Sequence, residues 1–172
     1  MDYGELSIRP ARPGDIAFLE EMLFEAVHWR PEQERPTLQE FESNPEFSKL
    51  MKGWGYRPGD KAVIAEIDGR SAGAAWYRLW TDEEHTYGFV DEKTPELGMG
   101  VRSALRGVGI GRELLRALID EAYYEGYEQI SLSVEPDNFS RKLYASEGFV
   151  KVGENDGAWT MVKKLQVDNG EV

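Results

Sequence analysis

The chain contains no cysteine, which excludes a disulfide framework, a thiolate metal site and a cysteine nucleophile. It also has no run of about 18 apolar residues, so a membrane-spanning helix is not expected. The first residues, MDYGELSIRP, lack the basic and apolar regions of a secretory leader. These absences together point to a cytoplasmic location. No low-complexity tract, no repeat of fixed period and no Pro/Gly/Ser linker divides the sequence. Positive charge is scarce. Twenty basic residues face 32 acidic ones, a net charge of −12, which argues against nucleic acid or an anionic membrane as a partner and favours cationic small molecules or basic peptides.

What remains is 172 residues, 41% of them apolar and 30% charged, the profile of one globular domain. The expected arrangement is a single domain over residues 1–166 followed by a polar tail, 167–172. The periodicity predicts a first strand at Leu6–Arg9. Asp15 is then a candidate N-cap for a helix reaching about Trp29. Thr37-Leu38-Gln39-Glu40 has capping-box spacing, and Asn44-Pro45 can end that helix and start another that Gly53 stops. Strands follow at Ala62–Ile67 and Ala72–Leu79 around the tight-turn pair Asp68-Gly69. The polar, acidic stretch Thr81–Thr94 reads as a long loop, and Glu96–Val101 as the next strand. The clearest helix is Val108–Glu125, with Ile110, Leu114, Leu115, Leu118, Ile119 and Ala122 on one stripe. A strand at Ile130–Val134, a short helix capped by Asn138 or Ser140 and ended by Gly148, and strands at Phe149–Val152 and Trp159–Lys164 complete a mixed α/β order.

The chemistry concentrates in Leu105-Arg106-Gly107-Val108-Gly109-Ile110-Gly111-Arg112, between a strand and the best helix. Glycines at alternate positions let the backbone turn sharply and approach a ligand. The helix start presents unpaired N–H groups and a positive dipole end, which suit phosphate or pyrophosphate. A P-loop needs Lys-Ser/Thr after its last glycine, and Arg112-Glu113 stands there instead. The dinucleotide fingerprint needs a third glycine where Arg112 stands, so it fails as well. A glycine turn that merely packs a helix on a strand stays open at this point.

Arg106-Gly107-Val108-Gly109-Ile110-Gly111 resembles the R/Q-x-x-G-x-G/A signature of the GCN5-related N-acetyltransferases. Val101 stands where that family places a strand-end valine. Asn138 and Leu143-Tyr144-Ala145-Ser146-Glu147-Gly148-Phe149 resemble its later Asn and L-Y-x-x-x-G-F pattern. The specific likeness covers about residues 96–165; Arg102-Ser103-Ala104-Leu105 departs from it, where many members carry a proline. The resemblance implies a partly antiparallel sheet of six or seven strands flanked by about four helices and splayed at the acyl-CoA strand. It implies acetyl-CoA as co-substrate, no metal, a small-molecule or peptide amine as acceptor, and room for a homodimer. The cofactor residues it implies are Met99, Gly100 and Val101 for the pantetheine arm and Arg106, Gly107, Val108, Gly109, Ile110, Gly111 and Arg112 for the pyrophosphate. Asn138 and Ser140 would add contacts, with Arg141 a weaker candidate. Tyr144 would act as general acid and Glu96 as general base, with Glu92 and Asp91 as runners-up. His28, beside Trp29, is a lesser candidate near the acceptor, and the acidic loop would border its entrance. A non-catalytic acyl-CoA sensor on the same fold and a nucleotide-phosphate binder are the competing readings.

Overall fold

A computed structural model describes residues 4–31 and 34–165. The tail expected over 167–172 lies outside them. Strand β1 is Leu6–Pro10, and a 3₁₀ turn at Pro13–Asp15 leads into α1, Ile16–Val27. Helices α2, Leu38–Ser43, and α3, Pro45–Ser48, are short. Then come β2, Lys61–Ile67; β3, Arg70–Arg78; and β4, Glu96–Val101. A second 3₁₀ turn, Ser103–Leu105, precedes α4, Ile110–Tyr124. The chain continues with β5, Gln129–Val134; α5, Ser140–Ser146; β6, Val150–Asn155; and β7, Ala158–Lys164. The hydrogen-bonded order of the seven-stranded, mostly antiparallel sheet is β1-β2-β3-β4-β5-β7-β6. Thus the mixed α/β class expected from the sequence is the class observed, with five α-helices among the described residues.

Local chemistry accounts for most element ends. Thr37 accepts the Glu40 N–H at 3.1 Å and starts α2, while Asn44 accepts the Glu46 N–H at 3.0 Å and starts α3. Asp68 and Gly69, at φ 50° and 78°, make the tight β2–β3 turn. A second such pair, Asp156-Gly157 at φ 51° and 84°, joins β6 to β7 and lengthens β6 beyond the expected Val152. Two expectations change. The Asp15 carboxylate accepts the Arg12 N–H at 2.7 Å and pairs with Arg9 at 2.8 Å instead of capping α1. Helix α4 starts at Ile110 and not at Val108, because Gly107 and Gly109 are left-handed at φ 81° and 94° and interrupt helical backbone on both sides of Val108.

Two compact units are apparent. One holds residues up to Trp76 with Gly98–Leu115, the other Tyr77–Leu97 with residues from Arg116 on. In the first, α1 packs by Leu19, Met22 and Leu23 in a core with Phe41, Met51, Trp54, Ile64 and Trp76. Here β4 is closely packed against α1 and β3: a Cβ on Gly100 would lie 2.3 Å from the Met22 carbonyl oxygen of α1, and one on Gly98 would lie 2.7 Å from the Trp76 ring of β3. In the second unit, β5 pairs antiparallel with β7 from Gln129↔Lys164 to Val134↔Trp159. Its parallel register with β4 is the one pair Glu96↔Ser131, so the parallel ladder ends at the first residue of β4.

Two outcomes follow from this packing. Gly100→Ala forces a side chain onto backbone and is expected to lower unfolding free energy by about 1–3 kcal/mol, toward the upper end. Gly153→Ala, where a Cβ meets nothing within 4 Å, is expected to stay within about 0.5 kcal/mol; urea titrations of both variants check the contrast. Burial raises the phenols of Tyr77, Tyr127 and Tyr144, that of Tyr144 to about 12, with neighbouring Glu125 adding to the effect at Tyr77 and Tyr127. An unfolded tyrosine ionises near 10, so the unfolded chain releases these protons first as pH rises. Stability from these groups is complete below pH ~10 and falls as pH climbs toward 12. Melting temperatures measured between pH 8 and 12 should be level at first and then drop; a level curve to pH 12 contradicts the burial of these phenols.

Candidate functional site

The segment linking β4 to α4 is held at both ends before any glycine is reached. Arg102 N–H donates to the Ala72 carbonyl at 2.9 Å, and its guanidinium donates to the Ser71 carbonyl at 2.8 Å and to Glu21 at 2.7 Å. The Leu105 N–H closes the 3₁₀ turn on the Arg102 carbonyl at 2.9 Å. These hydrogen bonds hold Arg102–Leu105 in place without a proline. Arg106 then donates from Nε to the Val101 carbonyl at 3.2 Å and from Nη2 to Glu25 at 3.0 Å. Its positive charge is therefore met by a carboxylate of α1.

Beyond Arg106 the chain carries Gly107, Val108 and Gly109 at the surface, and Val108 is 42% exposed. A Cβ on Gly107 or Gly109 would meet nothing within 4 Å. The backbone angle, not crowding, demands glycine at both places. Helix α4 makes its first intrahelical bond from Glu113 N–H to the Gly109 carbonyl, at 3.3 Å. The N–H groups of Ile110 and Gly111 precede it, so no carbonyl of their own helix lies one turn back. With the helix dipole behind them and open space beside the glycines, these groups fit a pyrophosphate. Gly111 is not left-handed, and it is the first-turn residue after Ile110.

Met99, Gly100 and Val101 form the end of β4. The sequence suggested that Gly100 admits a ligand's close approach; the approach observed is that of Met22 on α1. Packing by itself therefore requires that glycine.

The second unit holds the candidates Glu96, Asp91, Glu92, Asn138, Ser140, Arg141 and Tyr144. Glu96 opens β4 and is half-buried. Its Oε1 accepts the Thr86 hydroxyl at 2.5 Å and its Oε2 the Gly88 N–H at 3.2 Å. Gly88 has no room for a side chain: a Cβ would lie 2.7 Å from the Leu132 carbonyl carbon and 2.8 Å from Ser133 N. The inner part of the 81–94 loop therefore lies on β5, a placement no motif announced. Its outer carboxylates, Asp82, Glu83, Glu84, Asp91 and Glu92, are exposed. Glu92 accepts the Asp82 N–H at 3.0 Å and Asp91 the Lys93 N–H at 2.9 Å, so both runners-up build the loop itself.

Asn138 Oδ1 accepts the Ser140 N–H at 2.9 Å, which starts α5. Arg141 donates to the Pro136 carbonyl at 2.9 Å and lies 4.9 Å over the Trp159 ring. Tyr144 is 7% exposed, and its ring is 5.8 Å from that of Phe149. Gly148, at φ 98°, ends this helix, and the Phe149 N–H returns to the Tyr144 carbonyl at 3.0 Å. In the first unit, His28 is buried with its imidazole 5.1, 5.6 and 6.3 Å from the rings of Phe24, Phe41 and Phe47. Both of its ring nitrogens are buried and have no hydrogen-bond partner among the described residues. Among the described residues no group of three or more His, Asp or Glu could hold a metal ion, and no helix is long and apolar enough to cross a membrane.

Comparison with solved structures finds the same fold in acetyltransferases. YncA from Salmonella typhimurium, solved with its cofactor acetyl-CoA, is 25% identical, with 94% of each chain covered and a TM-score of 0.64. The ribosomal-protein-alanine N-acetyltransferase of Brucella melitensis is 26% identical over 92% of this chain and 99% of its own, with a TM-score of 0.65. The PaiA N-acetyltransferase of Thermoplasma acidophilum, solved with coenzyme A, shares the fold at a TM-score of 0.71 and 17% identity, over 93% and 99% of the two chains. No curated protein matches by sequence. The model of the acetyltransferase (GNAT) family matches residues 22–149, a span that includes α1's second half, the glycine turn and Tyr144. Since that span is more than half of the chain, the protein belongs to the acetyltransferase (GNAT) family.

Proposed function

We propose that the protein is an acetyl-CoA-dependent N-acetyltransferase that acts on a primary amine of a small molecule, an amino-acid derivative or a peptide. The observation that carries this reading is the exposed turn with left-handed Gly107 and Gly109 at the start of α4, inside the span matched by the family. YncA with acetyl-CoA and the Brucella N-acetyltransferase, both at least 25% identical, support the donor and the reaction type.

In this reading the backbone N–H groups of Gly107–Arg112 hold the pyrophosphate. The backbone of Met99, Gly100 and Val101 takes the pantetheine arm, on a strand whose parallel ladder ends at Glu96. Asn138 and Ser140 add contacts from the start of α5. Acetyl-CoA, when bound, supplies an acetyl group activated as a thioester; the products are the N-acetyl amine and the CoA thiol. Glu96 accepts the proton that the ammonium of the acceptor must lose, directly or through one water. The bonds from Thr86 and Gly88 support this role by fixing the carboxylate's orientation. Tyr144 donates a proton or hydrogen bond to the leaving sulfur. Burial that lifts its phenol to about 12 keeps it protonated throughout the neutral range. The exposed carboxylates of the 81–94 loop favour cationic acceptors through a field that salt screens.

Incubation with acetyl-CoA and a panel of neutral and cationic primary amines, read by mass spectrometry, tests the reaction. Acetylated amine is expected, and kcat/KM should fall with added salt for cationic acceptors but not for neutral ones. A chain that binds CoA and acetylates none of the panel is instead an acyl-CoA sensor. Tyr144→Phe keeps the ring against Phe149 and removes the donor. It is expected to lower kcat by about 10²-fold with CoA affinity and melting temperature nearly unchanged. A stable variant with kcat within about twofold of wild type removes Tyr144 from the mechanism.

A further inference from the structure

Two arginines converge on one carboxylate of α1. Glu25, its side chain 17% exposed, accepts Arg106 at Oε2 (3.0 Å) and Arg35 at Oε1 (3.1 Å) and Oε2 (3.4 Å). Each arginine has a second hold, on a backbone carbonyl. Arg106 donates to Val101 at 3.2 Å, at the end of β4, and Arg35 donates to His28 at 2.7 Å, just past α1. Arg35 also lies 5.7 Å over the Phe24 ring. Among the described residues, the hydrogen bonds of Arg35 go to Glu25 and His28.

Isolated surface ion pairs contribute little. This group differs from them. It is partly buried, the carboxylate takes two donors from one guanidinium, and both cations also donate to a backbone carbonyl. Without the carboxylate, two like charges would share a partly buried site, and each would gain freedom to leave it. Arg106 is also the first residue of the glycine turn. Its guanidinium is engaged by Glu25 and Val101, so an anion at the turn would rely on backbone N–H groups whose placement depends on where Arg106 is fixed.

We infer that Glu25 is a positioning residue of the acyl-donor site. It fixes the glycine turn to the end of α1 and, through Arg35, to the chain that follows α1. The tightness of donor binding is thereby coupled to Arg35, a residue with no hydrogen bond to the turn. This inference rests on the turn holding CoA as proposed above.

A double-mutant cycle on CoA affinity separates such coupling from a merely structural ion pair. Calorimetric titration of the full chain with CoA is carried out on wild type, Arg35→Met, Glu25→Gln and the double variant, each with a melting curve. With Glu25 present, Arg35→Met is expected to raise Kd by about threefold or more; in the Glu25→Gln background the same change should alter Kd by less than about 1.5-fold. Arg35→Lys, which keeps the charge and one donor, should recover part of the affinity. An equal effect of Arg35→Met in both backgrounds, or none in either, overturns the inference. If Arg35→Met is unfolded at the assay temperature, Arg35→Gln replaces it under the same criterion. A wild-type chain that does not bind CoA overturns the reading of the turn itself, whereas wild-type binding with no coupling overturns only the role of Glu25.

Discussion

Between Val101 and Ile110 the chain must pass from a strand into a helix, and it does so through two residues, Gly107 and Gly109, held at φ 81° and 94°. Side chains with a Cβ rarely accept that backbone, so the turn exists only because glycine stands at both positions. Everything proposed for the donor follows from it. The first N–H groups of α4 are left without carbonyls of their own helix, at a surface with open space beside the glycines. The buried stripe Ile110, Leu114, Leu115 and Leu118 fixes the helix behind them, so the groups are oriented before any ligand arrives. Arg102 and Arg106 fix the chain in front, on Ser71, Ala72, Val101, Glu21 and Glu25.

A second constraint is the close approach of α1 to β4. Gly100 leaves 2.3 Å between a would-be Cβ and the Met22 carbonyl oxygen, and Gly98 accommodates the Trp76 ring. A Cβ on Gly73 in β3 would lie 2.9 Å from the Gly100 carbonyl oxygen. Gly100 lets the α1 backbone lie directly on the strand that carries Met99–Val101, while Gly98 and Gly73 let β3 and β4 approach each other. In this way a packing demand and a binding demand fall on the same residues. Glu25 joins them, because the helix whose backbone presses on Gly100 also supplies the carboxylate that holds Arg106.

Much of this was legible in the sequence. Asp68-Gly69, the capping spacing Thr37–Glu40 and the stripe of α4 each encode a local answer that tertiary packing did not override. The glycine turn was legible because φ above zero has few chemical solutions. Other features depend on long-range contacts and left no local signal. Nothing near Asp15 announces that Arg9 and the Arg12 N–H take its carboxylate. Thr86 and Gly88 come to Glu96 across a loop without regular structure, so no periodicity reveals them. Glu25 and Arg106 are far apart in sequence, and an acidic residue on an amphipathic helix reads as a solvated one. The Asp156-Gly157 turn was readable in principle, by the same signal as Asp68-Gly69.

In the proposed donor site the backbone N–H groups of Gly107–Arg112 bind the pyrophosphate of CoA. Amide hydrogen exchange, resolved to single residues, addresses it with CoA and, separately, with pantetheine, which has the same arm but no pyrophosphate. Slower exchange at Gly107–Arg112 is expected with saturating CoA, and unchanged exchange there with pantetheine. Binding of CoA that leaves these amides as fast as in the free protein, or equal protection by pantetheine, would contradict that binding mode.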